Sequence, residues 1–289
     1  MVFSLSPTNK SVLLAITSSL LLSISMSLAK TVNSEVPTTL LVFIRSCFGI
    51  LFLLPILVYN TRSITRTQNL LLHILRTIIV FSAMLCTYYA YRNLPLAFAA
   101  SISMSSPLFT TILSFIILKE KINSLKLLVI LIGYLGVIIV IRPSTFLLDL
   151  GTMSSILANI LAACALIIVK ILSRHDSTMT IMFYTNIGLV LVACVFSLDE
   201  WKLLNFIDYK IISIMGLLGV TMQFCSIIAV THSSPSFVAP FEFTRIFFSH
   251  LIGTIIFKEI VDIYIVIGSL VILFSVYILA RLEIRDKVK

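Results

Sequence analysis

The chain has 289 residues, of which 59% are hydrophobic and only 11% charged, and its mean hydropathy is +1.13. A soluble domain carries about 25% charged residues, so composition excludes a water-soluble enzyme or binding module. The formal net charge of +9 does not indicate nucleic acid, because the 21 Lys and Arg residues sit singly between apolar runs and form no basic stripe.

A helix crossing the hydrocarbon core needs about 20 mostly apolar residues. Hydropathy predicts ten such spans, at 11–30, 36–59, 72–92, 96–118, 125–142, 152–172, 178–198, 209–231, 236–257 and 260–281. The first follows Lys10 and ends at Ser27-Leu28-Ala29, which resembles a cleavable signal. Its apolar run exceeds the usual signal core of about 7–15 residues and has a counterpart later in the chain, so it is expected to stay as a helix. The five cysteines (Cys47, Cys86, Cys164, Cys194, Cys225) all lie inside apolar runs with no CxxC, and read as small buried hydrophobes.

Orientation follows from basic residues in the connections. With the N-terminus cytoplasmic, the inner segments hold Lys10, Arg62, Arg66, Arg76, Lys119, Lys121, Lys126, Lys170, Arg174, Arg281, Arg285, Lys287 and Lys289. The outer segments hold only Lys30, Arg92, Arg142, Lys202, Lys210 and Lys258. Both termini are therefore expected inside.

The two halves echo each other at an offset near 140 residues: Lys30 with Lys170, Pro95 with Pro235, Ala99 with Ala239, and Lys119-Glu120 with Lys258-Glu259. Each half has five predicted helices. An odd number inverts the second half in the membrane, the arrangement of many secondary transporters. The expected fold is an all-α integral membrane protein of ten transmembrane helices in two inverted five-helix repeats, residues 1–145 and 146–289.

Several stretches carry a family resemblance. Phe43-Ile44-Arg45 followed by Pro55, the segment 94–120 with its Pro107-Leu108-Phe109, and Val238-Ala239-Pro240-Phe241-Glu242-Phe243 through Lys258-Glu259 resemble the EamA group of the drug/metabolite transporter superfamily. Gly136 and Gly268 stand where that family often has glycine. One departure is that Lys119 and Lys258 occupy the place before the terminal Glu where the family often has Gly. The resemblance implies a carrier rather than an enzyme. His73-Ile74-Leu75-Arg76 and Pro107-Leu108-Phe109-Thr110 are similar to members that take up S-adenosylmethionine, which implies uptake of that compound, with export of amino acids or other metabolites as the alternative.

Ionisable groups inside a span are costly unless they face protein or water. Arg45 in the second span reads as a substrate-anion ligand, a gating partner or a structural anchor. In the ninth span Glu242, Arg245 and Ser249 follow i, i+3, i+7 and share a face. Glu242 and Arg245 could cradle a zwitterion or simply neutralise each other. His250 nearby reads as a helix–helix hydrogen-bond partner or a proton-linked group. Tyr88 could face a cationic or planar ligand, whereas Tyr91 beside Arg92 also fits an aromatic belt. Ser101, Ser103, Ser105 and Ser106 suit close helix packing, with Ser105 kept as a pocket candidate. Asn159, Tyr184, Asn186 and Gln223 read first as packing groups, and Tyr184 is kept as a binding candidate.

No GxxxxGK[ST], HExxH or GxSxG occurs, and the four histidines are scattered, so no cofactor or metal is expected. A membrane enzyme would rest on Asp199, Glu200 and Asp208 alone, and no filter-like motif suggests a channel. The expected partners are a small-molecule substrate and the lipid bilayer, with a second copy of the chain as an open option and no nucleic acid.

Overall fold

The computed structural model describes residues 7–59, 67–94, 96–103, 106–119, 124–141, 149–258 and 263–288. In lipid, backbone N–H and C=O groups have no water to bind, so a chain this apolar satisfies them within helices. The helices in chain order are α1 (Pro7–Thr31), α2 (Thr38–Tyr59), α3 (Leu70–Asn93), α4 (Leu96–Ser103), α5 (Ser106–Leu118) and α6 (Ser124–Ile141). There follow α7 (Leu150–Leu172), α8 (Thr178–Ser197), α9 (Phe206–His232), α10 (Pro235–Val238), a 3-10 turn (Ala239–Phe243), α11 (Thr244–Phe257) and α12 (Ile263–Val288). No strand occurs among the described residues.

Six helices, α1, α2, α3, α7, α8 and α9, contain stretches long and apolar enough to cross a membrane. The surface confirms lipid as the solvent. Ile116, Val195 and Ile255 are 62%, 67% and 69% exposed, whereas Ser23, His73, Arg76, Asn159 and Arg245 are buried. In water that distribution would be strongly unfavourable; in hydrocarbon it is the stable one.

The packing has a regular plan. α1 lies along α9 and α7 lies along α3; α2 packs on α8, and α6 on α12; α5 rests on α7, and α11 on α1. Small residues permit the close approaches. On α1, Ser23 and Ser27 return their hydroxyls to the carbonyls of Ser19 and Ser23, at 3.0 and 2.8 Å. The same stripe then reaches outward: Ser249 Oγ donates to Ser23 Oγ at 3.2 Å, and Ser233 Oγ to Ser11 Oγ at 3.0 Å. Lys170 Nζ closes the end of α9 by donating to the carbonyls of Val230 (2.8 Å) and Ser233 (3.0 Å). All five cysteines are free thiols.

Three expectations change or fall outside view. The ninth span is not one α-helix: Pro240 has no N–H for an α-helical hydrogen bond, and the chain tightens into the 3-10 turn before α11 begins at Thr244. Arg76, counted above as a connection residue, lies inside α3 and is buried. Arg62, Arg66, Pro95, Ser105, Glu120, Lys121, Arg142, Glu259 and Lys289 lie outside the described residues.

Lys119 and Lys258 are the described non-glycine residues with positive φ, 53° each. Each directly follows a helix, α5 and α11, and the Lys258 N–H donates to the Gly253 carbonyl. This is the left-handed turn that commonly ends a helix and that glycine adopts without steric cost. The relation to the glycine expected at this place is therefore conformational, not chemical.

Candidate functional site

A central cavity of roughly 260 Å³ lies among α1, α2, α3, α4, α5, α7, α8, α9, the 3-10 turn and α11. One face of α3 lines it throughout: Arg76, Val80, Ala83, Met84, Thr87, Tyr88 and Tyr91. Those positions follow the helical period, so a single stripe runs along the cavity for about 22 Å at 1.5 Å per residue. Both Tyr88 and Tyr91 are nearly fully buried, and Tyr91 Oη donates to Ser103 Oγ at 3.5 Å. Tyr91 is thus an interior residue and not a belt residue at the membrane surface.

The 3-10 turn delivers the charged pair. Because the turn tightens the backbone before α11 begins, Glu242 and Arg245 both reach the cavity. Arg245 Nη2 donates to Glu242 Oε2 at 3.2 Å, and Nη1 donates to Ser103 Oγ at 3.3 Å. The side chains are 11% and 22% exposed, so the pair is shielded from bulk solvent but reaches the cavity. Ser23 Oγ on α1 shares its proton between the Ser19 carbonyl at 3.0 Å and the Arg245 carbonyl at 3.3 Å, and Asn159 Nδ2 on α7 donates to the Ile102 carbonyl at 3.1 Å. The helices that hold the site therefore hydrogen-bond backbone near Ser103 and near Arg245.

Arg45 reaches the cavity from α2. Its Nη1 points at Met84 Sδ, 3.7 Å away, and its guanidinium packs directly over Gly219 of α9, where a side chain would collide with it. Arg76 reaches the cavity from α3, and its Nη1 donates to Thr185 Oγ1. Beside that contact Asn186 Nδ2 donates to Gln223 Oε1 at 2.9 Å.

Of the residues kept as binding candidates in the sequence, Arg45, Tyr88, Glu242 and Arg245 line one cavity together, and Tyr91, Ser103, Ser106, Asn159, Asn186 and Gln223, read there first as packing or belt groups, line it too. Tyr184 is not among the lining groups; its ring stacks on His73 with centroids 4.6 Å apart. His73 Nε2 in turn donates to Asp176 Oδ2 at 3.0 Å, and Thr67 Oγ1 donates to the same oxygen at 2.9 Å, forming a buried clasp at one end of α3. Ser105 lies outside the described residues. Sequence reading missed Arg76 and Thr185. The signal was available: stepping back from Tyr91 and Tyr88 by helical turns through Met84 and Val80 arrives at Arg76.

Two of the three acids that would have served a membrane enzyme have structural partners. Glu200 accepts from the Thr39 hydroxyl, and Asp208 Oδ1 accepts from the Asn33 N–H at 3.2 Å. A bundle of lipid-facing helices around a largely apolar cavity, with an ion pair at its wall, fits a multi-pass membrane transporter. The profile of the EamA-like transporter family matches residues 9–142 and again residues 149–281, and the chain belongs to that family.

Among characterised relatives, the S-adenosylmethionine uptake transporter of Rickettsia prowazekii is 26% identical over 88% of each chain. The pseudopaline exporter of Pseudomonas aeruginosa is 26% identical, covering 93% of this chain and 95% of its own. The riboflavin transporter of Vibrio cholerae is 25% identical, covering 86% and 85%. A solved crystal structure superimposes with a TM-score of 0.73 over 96% of this chain and 98% of its own at 14% identity, which supports the fold. The chain is a metabolite transporter and not an enzyme.

Proposed function

We propose that this transporter is a secondary carrier working by alternating access, with ten membrane crossings arranged as two inverted halves, residues 1–145 and 146–289. The family profile matches once in each half. The packing pairs interchange when the halves are exchanged: α1 on α9 becomes α7 on α3, and α11 on α1 becomes α5 on α7. Lys119 and Lys258 share both place and φ. Two such halves rocking about a central cavity expose it to each side in turn.

The observation that carries the reading is the shielded Glu242–Arg245 pair on the cavity wall. Glu242 offers a carboxylate to a cationic group, and Arg245, tied to Ser103, positions it. Tyr88 offers an aromatic face for a planar or cationic ligand. S-adenosylmethionine carries a sulfonium, an ammonium, a carboxylate and a planar base, and its uptake is the reading we favour; the similarity to a pseudopaline exporter supports the alternative of export.

Uptake of radiolabelled S-adenosylmethionine into bacteria expressing the chain is the direct test, with S-adenosylhomocysteine, amino acids and riboflavin as competitors. Saturable uptake blocked by S-adenosylhomocysteine is expected. No uptake, with the protein confirmed in the membrane, discards this substrate and turns the work to export from loaded vesicles. Linear, unsaturable flux would point to a channel instead.

Orientation is tested separately. We place both termini in the cytoplasm of a bacterial inner membrane, so alkaline phosphatase fused after Lys289 should be inactive and a fluorescent protein at the same place should mature. An active phosphatase fusion reverses the topology.

A further inference from the structure

Arg76 is left without a task by the reading above. It stands at the opposite end of the α3 stripe from the tyrosines, lines the cavity, and is only 5% exposed. Its Nη1 donates to Thr185 Oγ1, its Nε has no partner, and no carboxylate among the described residues pairs with it. The contrast with Arg245, which holds Glu242, is sharp.

A guanidinium taken out of water is strongly unfavourable without a counter-charge. A neutral hydroxyl supplies little of what is missing. Thr185, Asn186 and Gln223 line the same cavity and are neutral, so they do not cancel the charge of Arg76; Thr185 Oγ1 already donates to the Ile181 carbonyl and Asn186 Nδ2 to the Met182 carbonyl and Gln223 Oε1, which leaves the Gln223 Nε2 amide to donate to an anion. The planar fork of Arg matches a carboxylate with two parallel N–H···O bonds.

We propose that Arg76, with the Gln223 amide, is the anion subsite of the cavity and takes the carboxylate of the substrate. This rests on the carrier reading above. It assigns the substrate's negative end to a different part of the cavity from Glu242. Met84, the neighbour of Arg45, is eight residues further along α3, about 12 Å at 1.5 Å per residue. A ligand reaching from Arg76 past that level is elongated, with its carboxylate at one end. The Nε of Arg45 is unpartnered like that of Arg76, but Arg45 is partly exposed and its guanidinium is packed between Gly219 and a thioether, so burial favours Arg76 for this role.

The first arm uses whole cells and two probes, S-adenosylmethionine and its decarboxylated analogue, competing for labelled uptake. The native chain should prefer the carboxylated probe at least 10-fold. Arg76→Gln should bring the preference close to one, Arg76→Lys should restore part of it, and Arg45→Gln should leave it in place. A preference that survives Arg76→Gln, or that vanishes in Arg45→Gln instead, overturns the assignment.

The second arm does not depend on the substrate. Purified protein is melted in sodium acetate and in sodium chloride at matched ionic strength. Acetate should raise the Tm of the native chain and not that of Arg76→Gln. In chloride, Arg76→Met should melt at or above the native temperature, because it removes an uncompensated buried charge. A fall in Tm for Arg76→Met, together with equal acetate effects in both proteins, makes Arg76 a structural anchor and refutes the subsite. If cells take up neither probe while the acetate difference persists, the substrate reading has failed and the anion subsite stands.

Discussion

Glu242→Gln and Arg245→Met should each reduce uptake at least 100-fold, whereas combining Glu242→Leu with Arg245→Met should restore the stability that the single changes lose without restoring uptake. The reason lies in the burial of the pair. Removing one partner of a fully buried ion pair costs about 3–5 kcal/mol, because the other charge is left without compensation. Here the side chains are 11% and 22% exposed to the cavity, so screening reduces the loss, and about 2 kcal/mol is the better figure. Removing both partners leaves an apolar wall of similar volume, which is close to neutral. Glu242→Gln is expected to be the worse single change, since Arg245 stays charged while its remaining partners, Ser103 and the Gln amide oxygen, are neutral. Membrane yield and Tm measure stability, and initial uptake rates measure function. A double variant that transports at near the native rate would show that the pair only neutralises itself, and would remove Glu242 from the binding site.

The second large effect belongs to Gly216. A Cβ there would stand 2.8 Å from Phe48 Cβ and 2.9 Å from the Arg45 carbonyl oxygen, with the Gly49 nitrogen at 3.2 Å. Two of those three atoms are backbone of α2, which cannot step aside without moving the helix. Gly216→Ala should therefore push α2 and α9 apart. Overpacking of this kind costs about 1–3 kcal/mol, which lowers Tm by roughly 5 °C for a chain of this size. Because Arg45 sits at that contact and faces the cavity, uptake should fall with it. Gly219→Ala offers the internal comparison. There the obstacle is the flexible end of the Arg45 side chain, so the fold should survive while Arg45 is displaced. Melting curves of the two purified variants check the pair of expectations. Equal Tm values for Gly216→Ala and the native chain would contradict the close approach of α2 and α9.

The helical class and the helix positions were legible because the solvent is hydrocarbon. Hydropathy alone reports which segments satisfy their backbone internally, and most described helices begin and end within a few residues of a predicted span, while α12 runs on to Val288, past its expected end at 281. The ninth span shows where that signal stops. Its hydropathy is continuous, but Pro240 interrupts the hydrogen-bond ladder, and composition averaged over a window does not register one missing N–H. Arg76 shows a second limit. It lies six residues inside α3, close enough to the helix end that basic-residue counting assigned it to the connection. Counting reads only position along the chain.

What the sequence determined by itself is the membrane, the helices, the family resemblance and four of the groups that line the cavity: Arg45, Tyr88, Glu242 and Arg245. Each is visible because an ionisable or aromatic group within an apolar run is a local anomaly. Only the tertiary structure decided which of these groups meet. It set Arg245 against Ser103, 142 residues away in the chain, laid Arg45 over Gly219, and gave Arg76 a hydroxyl from Thr185 in place of a carboxylate. Those choices depend on how each helix is rotated about its axis. That rotation is settled by contacts between distant helices, where small residues allow close approach, and no local feature of an apolar segment encodes it.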